Sequence, residues 1–260
     1  MDNLEALLNE AASIDTTAAA AVIKADKKAK KAKSKAAEAP AKTEEAPAAA
    51  AAPDPVSVPG DLSEMVKSIT EEIAAQTKAE VLKQFDERET FEKDNGGTER
   101  KLDLLKSYAG RLSNDSVVKV LAALKFDTGF VNTQRGNKRF NVYAVDKVAD
   151  IAAALAGVGI RNKVNNAIVR SLFACRAAGL EFTGLIADAA VSDKVRVQDH
   201  IKKVLVRHSV SESTVDTQRS STMSALQLFG VVENIGSRNA PVWRLTDTPQ
   251  TRALEERLAA

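Results

Sequence analysis

The feature that most constrains the fold of this chain is a helix signal followed directly by a hairpin signal near its C-terminal end. Met223, Leu226 and Phe229 recur every three residues and therefore fall on one side of a helix. Gly230 then supplies a backbone conformation that ends helices. Two strand-like runs follow, joined by a polar and basic loop. Residues 210–247 therefore predict a helix and then a β-hairpin.

The segment before this helix carries a second helical pattern. Within residues 195–207, four apolar side chains share one face of a helix: Val197, Ile201, Val204 and Leu205. Ser211 and Ser213 lie between the two patterns and are of the residue type that caps a helix start, which places the following helix at residues 213–229. The predicted order is helix, short turn, helix, and then a hairpin whose loop is at residues 236–239.

This order resembles the winged helix-turn-helix superfamily of DNA-binding domains. The resemblance extends over residues 163–248 and rests on the run Val-Ser-Glu-Ser-Thr-Val at residues 210–215, on the apolar spacing and glycine after it, and on Trp-Arg-Leu-Thr at residues 243–246. It implies a recognition helix followed by a wing. Arg219 departs from the family pattern, because those domains usually carry an apolar core residue there. Either the helix is longer and packs through Val215, or its first turn packs differently.

The resemblance implies where such a protein contacts DNA. The recognition helix would enter the major groove and present to base edges the polar residues that lie away from its apolar face: Thr217, Gln218, Ser221 and Ser224. The wing would contact phosphates or the minor groove through Arg238, Asn239 and Arg244. The preceding helix would add backbone contacts from Lys202, Lys203 and Arg207.

Residues 97–158 repeat this theme more faintly. Helical patterns at residues 102–108 and 113–124 precede two strand-like runs, at residues 129–133 and 139–144, with a basic loop between them. These residues form either an ordinary helical module with a hairpin or a second winged-helix-like module. In the second case, its wing carries Arg135, Lys138 and Arg139.

An apolar pattern at helical spacing runs through residues 61–93 and predicts one long helix. Its apolar positions are Leu62, Met65, Val66, Ile69, Ile73, Val81, Leu82 and Phe85. A long helix with a narrow apolar stripe often packs on a partner, so residues 61–96 are a candidate coiled coil and homodimer interface. Ala74, Thr77 and Lys78 interrupt the stripe, which makes packing on the chain's own core the alternative.

The composition of the N-terminal tail differs from that of the rest of the chain. Residues 2–12 have the pattern of a short amphipathic helix. Residues 16–59 are mainly Ala, Lys, Pro and Glu, so they bury too little apolar surface to offset the entropy of ordering and are predicted to be disordered. Although the formal net charge is only +2, residues 24–35 hold seven Lys and one Asp. Such a block either holds phosphates through counterion release or keeps a linker in solution.

The patterns together predict a mainly α protein with short β-hairpins. Residues 146–157 and 162–179 are apolar helices that form a scaffold, and Gly179 ends the second of them before a candidate first strand at residues 181–183. The predicted segments are a disordered tail (1–60), a long helix (61–96), a helical module with a hairpin (97–158), a winged-helix domain (160–250) and a helical C-terminal tail (251–260).

Several classes of function lack a sequence signal. The chain carries no phosphate-binding glycine loop, no metal-binding His-Glu motif and no nucleophile motif, so we expect neither an enzyme nor a bound metal or cofactor. His200 and His208 have no nearby cysteine, and the single Cys175 excludes a disulfide framework. No run is long and apolar enough for a membrane span, and the chain begins acidic, so we expect a cytoplasmic, nucleoid-associated protein.

The favoured interpretation is a noncatalytic double-stranded DNA-binding protein, of the transcriptional-regulator or nucleoid and architectural type, that uses a winged helix and a Lys-rich tail. A second interpretation is a structural or adaptor protein, such as a phage- or virion-associated one, whose winged module binds protein. Leu228 favours the second interpretation, because it falls on the otherwise polar side of its helix. Tandem winged helices also resemble plasmid and phage replication initiators, which gives a third.

Overall fold

The computed structural model describes residues 60–135, 138–237 and 239–259. The predictions for the tail, namely its short helix, its lysine block and its disorder, lie outside the described residues. The described part is mainly helical, with one two-stranded hairpin and one three-stranded antiparallel sheet. The prediction of a mainly α fold with short β-hairpins is therefore confirmed.

Five helices and one hairpin make up the first half of the described chain. The helices are α1 (Leu62–Lys67), α2 (Glu71–Asp94), α3 (Glu99–Leu112), α4 (Asp115–Ala123) and α5 (Val142–Leu155). A 3-10 turn (Thr128–Asn132) and the strands β1 (Gln134–Arg135) and β2 (Lys138–Arg139) lie between α4 and α5.

Five further helices and three strands make up the second half. In chain order they are α6 (Lys163–Ala177), β3 (Phe182–Thr183), α7 (Gly184–Val191), α8 (Asp199–Val204), a 3-10 turn (Glu212–Thr214), α9 (Val215–Leu228), β4 (Val232–Asn234), β5 (Val242–Leu245) and α10 (Pro249–Ala259).

Helix α5 is the central element of the fold. Most of its side chains are buried, and it packs against α3, α4, α6, α9 and α10. Small alanines, such as Ala149 and Ala152, allow these neighbours to approach closely. At the C-terminal end of α9, the ring of Phe229 stacks on the ring of Phe126 from the first half, with the two centroids 4.5 Å apart. The two halves consequently share one hydrophobic core.

A buried polar network joins α5 to α6 and α9. The carboxylate of Asp150 accepts hydrogen bonds from the backbone N–H groups of Arg161 (2.9 Å) and Asn162 (3.1 Å) and from the side-chain amide of Asn165 (2.9 Å). Asn165 in turn accepts a 2.8 Å hydrogen bond from the Thr222 hydroxyl on α9. Because these groups are buried and mutually satisfied, the network fixes how the three helices meet.

A second buried network holds α2 against the hairpin. Arg88 and Glu92 form an ion pair of 2.8 Å within α2, and both side chains are almost fully buried. The Arg88 guanidinium also donates to the backbone carbonyls of Val131 and Phe140, the latter at 2.8 Å. A buried ion pair needs such additional partners to offset its desolvation.

The three-stranded sheet has the order β3-β5-β4, with both pairs antiparallel. Phe182 of β3 lies opposite Trp243 of β5, which confirms the candidate first strand. Gly230 (φ +63°) and Gly179 (φ +67°) end α9 and α6 as predicted, because only a residue without a Cβ adopts that conformation at little cost.

The prediction of one long helix over residues 61–93 is wrong. The helix is interrupted at residues 68–70, where Thr70 caps the start of α2 by accepting from the N–H of Ile73. The apolar stripe of α2 packs on the chain's own α3 and α4, with Val81 and Phe85 buried. The alternative interpretation of this stripe is the one that the fold adopts.

Two predicted strands in the first half are also wrong. The first of these segments lies almost wholly in the 3-10 turn Thr128–Asn132, because the Asp127 side chain accepts from the N–H of Gly129 and starts a helical turn. Residues 139–144 are only briefly a strand, because Asn141 caps α5 by accepting from the N–H of Tyr143. The capping side chains override the alternating pattern.

The predicted helix at residues 195–207 is shorter than expected, since only α8 is helical. Beyond it the chain is extended, and its backbone bonds to neighbouring elements: Val206 exchanges two hydrogen bonds with the Ser171 hydroxyl, and His208 donates to the carbonyl of Ala190. Ser211 and Ser213 bond to each other rather than capping α9.

The last helix returns to the first. Helix α10 packs against α1 and α5, and the Arg257 guanidinium on α10 donates to the carbonyl of Ala154 at the end of α5. The guanidinium of Arg170 on α6 donates to the carbonyl of Leu258 (3.1 Å). The C-terminal helical tail is therefore part of the packed structure.

The Asp150 network generates a stability prediction. Asn165→Ala removes one of the three donors to the Asp150 carboxylate and the acceptor of the buried Thr222 hydroxyl. We therefore expect a loss of about 2–4 kcal/mol in the free energy of unfolding. Asn166→Ala, at the next position, removes only a hydrogen bond to Arg170 at the surface and should cost less than about 0.5 kcal/mol. Urea unfolding measures both, and equal effects of the two substitutions would contradict the importance of the network.

Candidate functional site

Helix α9 is the predicted recognition helix, and its two faces differ. The inner face is buried in the core. The outer face carries the four predicted base-contact residues, of which Thr217 is exposed, whereas Gln218, Ser221 and Ser224 are half-buried. They are half-buried because this face lies toward α5, against which α9 packs. The outer face of α9 is therefore one wall of a groove.

A polar cleft of about 410 Å³ forms one end of this groove. Thr217, Gln218 and Ser221 line it from α9. The side chains that line it from other elements are Tyr108, Tyr143, Asp146, Lys147, Lys163 and His208. Hydroxyl, amide and basic groups thus converge on one space between α3, α5, α6 and α9.

A second, mixed cleft of about 490 Å³ continues along α9. Its apolar lining comes from Phe130, Phe140, Ala144 and Leu228. Ser220, Ser224 and Arg139 supply polar groups. Thr217, Ser221 and Asn141 line both clefts, so the two spaces adjoin.

Lys147 is the most unusual charge in the polar cleft. Although only 5% of the residue is exposed, its ammonium group donates to the side-chain carbonyl of Asn162 at 2.8 Å. Burial lowers the pKa of Lys147 from its ordinary value of 10.5 to about 8, while the charges of Asp146 and Asp150 act in the opposite direction. The ammonium is therefore held as a cation at neutral pH in surroundings that disfavour it.

Asp146 and Tyr108 also line the polar cleft. Asp146 accepts from the guanidinium of Arg111 (2.5 Å) and from the side-chain amide of Asn162 (2.7 Å), so its charge already has two donors. Burial, followed by the nearby charge of Asp146, raises the pKa of the Tyr108 hydroxyl. Tyr108 therefore lines the cleft as a neutral hydrogen-bonding group at neutral pH.

Arg219, the departure from the family pattern, is partly buried. Its guanidinium forms an ion pair of 2.6 Å with Asp188 of α7 and a second with Asp216. Val215, one turn earlier, is buried in the core. Burial raises the pKa of Asp188, and the adjacent Arg219 lowers it. An ion pair between α7 and α9 therefore occupies the position where an apolar contact was expected.

The predicted wing residues lie in and beside the loop between β4 and β5. Asn239 and Arg244 are both exposed, whereas Arg238 lies outside the described residues. The Arg244 guanidinium donates to the Glu233 carboxylate from Nε (2.7 Å) and pairs with it through Nη2 (2.6 Å). Arg244 is thus accessible, but a phosphate would compete with Glu233 for it.

The predicted backbone contacts of the preceding helix fall into two groups. Lys202 and Lys203 are exposed on α8. Arg207 is half-buried and donates to the backbone carbonyls of Ala189 (3.1 Å) and Ser192 (2.8 Å). Arg207 therefore has a structural role, and only the two lysines are free to meet an external anion.

The first hairpin places its basic residues close together. Arg135 and Lys138 are directly opposite each other in the β1–β2 pair. The Arg139 guanidinium lies 3.7 Å from the centre of the Phe91 ring and donates to the side-chain carbonyl of Asn132 at 3.1 Å. Arg139 is therefore partly used within the fold, and its remaining surface lines the mixed cleft.

Lys147, Asn162 and Tyr143 are site residues that sequence reasoning missed. Asn141 and Asn162 each directly precede an apolar helical run, which is the signal of an N-cap and could have located the starts of α5 and α6. No local pattern places these starts beside α9, because the contact depends on how distant segments pack.

Residues 60–135, 138–237 and 239–259 contain no group of three or more His, Cys, Asp or Glu side chains arranged to hold a metal ion. None of the helices within those ranges is long and apolar enough to cross a membrane.

Comparisons of the chain with models of protein families, with curated proteins and with solved structures found no match.

The buried ammonium generates a pH prediction. The unfolded chain holds this proton up to about pH 10.5, whereas the folded chain releases it near pH 8. Between these values the unfolded state binds more protons, so raising the pH stabilises the folded state. Relative to Lys147→Met, the wild type should gain stability from pH 8 to pH 10. Urea unfolding at several pH values measures the difference, and a difference that does not change with pH would contradict the lowered pKa.

Proposed function

We propose that this chain is a noncatalytic double-stranded DNA-binding protein whose residues 160–250 form a winged helix. One observation carries the proposal. Helix α9 is followed directly by the hairpin of β4 and β5, and β5 lies between β4 and the first strand, β3. A helix followed by a hairpin is what the resemblance to winged-helix domains implies, with α9 as the recognition helix and residues 236–239 as the wing. The helix before α9 is shorter than the resemblance implies, since only α8 is helical within residues 195–207.

Exposed basic groups on the same half of the chain support contacts with phosphate. Arg244 lies on β5, the strand that follows the wing loop, and Lys202 and Lys203 lie on α8, inserted between α7 and α9. Such side chains neutralise backbone phosphates and release counterions, which gives affinity that depends strongly on salt and little on sequence. The Lys-rich tail, outside the described residues, would add to the same term.

The position of α5 bears on which kind of DNA-binding protein this is. Gln218, Ser221 and Ser224 are partly buried in the groove beside α5, so they are less accessible to the edge of a base pair than an exposed side chain is. Arg244, Lys202 and Lys203 are exposed and can reach phosphates directly. The arrangement therefore supports a nucleoid or architectural type, bound mainly through phosphates, over a regulator that reads sequence through α9.

The residue that favoured the adaptor interpretation is less available than the sequence suggests. Leu228 is partly buried and packs against the hydrophobic core, so it does not offer a fully exposed apolar contact to a protein partner. Homodimerisation through residues 61–96 stays a prediction. The exposed apolar surface that α2 offers to a second copy consists of Ile73 (42% exposed) and Leu82 (40% exposed).

The proposal predicts opposite effects for the two partners of the wing ion pair. Arg244→Gln should weaken binding to random-sequence duplex DNA and reduce the slope of log affinity against log salt by roughly one unit, as expected for one lost phosphate contact. Glu233→Gln should tighten binding, because it frees Arg244 and removes a negative charge beside the DNA. Fluorescence anisotropy of a labelled duplex across a salt series measures both.

Lys83→Gln is the matched control, because Lys83 is an exposed lysine on α2, far along the chain from the wing. It should leave affinity and salt slope unchanged. Circular dichroism shows that each variant is folded. If the folded wild type binds no duplex at low salt, or if all three variants bind like the wild type, the wing does not contact DNA and the adaptor interpretation replaces this one.

A further inference from the structure

The groove between α5 and α9 has one cationic end. The Lys147 ammonium has a single hydrogen-bond acceptor among the described residues, the Asn162 side-chain carbonyl, and that oxygen also accepts from the backbone N–H groups of Val164 and Asn165. Lys163 lines the same end. An ammonium group can donate three hydrogen bonds, so Lys147 retains donors for a further acceptor.

The two carboxylates near this end already accept hydrogen bonds from other groups of the protein. Asp146 is the carboxylate that lines the polar cleft, and Arg111 and Asn162 both donate to it. Asp150, the other nearby carboxylate, accepts three hydrogen bonds in the core network. The two lysines therefore face the cleft with their charge only partly balanced by the protein.

Two buried polar groups on the groove lack partners within the described residues. The side-chain oxygen of Gln218, in the polar cleft, is an acceptor without a donor, and Nε of Arg139, in the mixed cleft, is a donor without an acceptor. Native proteins rarely leave such groups unsatisfied, and a bound molecule, ion or water is one way to satisfy them. One such group lies at each end of the groove.

The second end of the groove provides an apolar surface. Phe140, Ala144 and Leu228 line the mixed cleft, with the hydroxyls of Ser220 and Ser224 beside them. Clefts of about 410 and 490 Å³ are of the size that holds small molecules. A double helix is too wide to enter either of them.

The geometry points to a binding site for an organic phosphate of about mononucleotide size in this groove. The phosphate lies against Lys147 and Lys163, where the charge is incompletely balanced. The hydroxyls of Thr217 and Ser221, which line both clefts, meet the polar middle of the ligand. An aromatic or apolar body occupies the mixed cleft against Phe140 and Leu228. This site is separate from the wing, so it stands independently of the proposed DNA contacts.

Isothermal titration of the full chain with adenosine 5′-monophosphate tests the site. The wild type should show saturable binding with one site per chain, while inorganic phosphate and adenosine, which each carry half of the recognised groups, should bind more weakly. Lys163→Gln removes one cation at the edge of the cleft and should weaken binding about tenfold. Lys147→Gln should do the same, and circular dichroism checks its fold.

Lys203→Gln is the matched control, since Lys203 is exposed on α8 and lines neither cleft; it should bind the nucleotide like the wild type. Two results would overturn the proposal: no saturable binding of the nucleotide or phosphate by the wild type, or unchanged affinity in both cleft variants. Equal affinity for phosphate and nucleotide would overturn the role given to the apolar end.

Discussion

The fold depends on the hydrogen bonds that the buried carboxylate of Asp150 accepts. Two of its donors are the backbone N–H groups of Arg161 and Asn162, which fix the turn between α5 and α6, and the third is the side chain of Asn165. Through Asn165 the network reaches Thr222, which sets the position of α9. The same contacts place Asn162 where it can accept from Lys147, so one buried acceptor orients both the core and the groove.

The parts of the fold that the sequence predicts correctly are those with local physical causes. Gly179 and Gly230 end helices because a positive φ is cheap for glycine, and the apolar spacing of α9 describes its buried side. The errors come from side chains that compete with the pattern. Asp127 and Asn141 turn apparent strands into helical turns, and Ser171 holds Val206 in an extended conformation that periodicity alone cannot reveal.

The candidate site was less predictable than the fold for a different physical reason. The polar residues of α9 were correctly separated from its apolar side, yet solvent exposure of Gln218 and Ser224 depends on α5, which is distant along the chain. A cluster such as Lys147 beside Asn162 exists only after three helices pack. Sequence therefore predicts which side chains lie opposite the buried face of a helix, but long-range packing decides what those side chains contact.

The contact of α10 with α1 brings together the N-terminal and C-terminal helices of the described residues. Because α10 touches α1, the first described helix, and because Arg257 reaches from α10 to the end of α5, loosening α1 or α10 exposes apolar surface on the other. If residues 60 and 259 were joined and the chain were reopened elsewhere, the core of the described residues would be retained, since adjacent ends of a folded body allow such rejoining. A circular permutant with its new ends at residues 236–239 would therefore interrupt the wing loop and keep the rest of the fold.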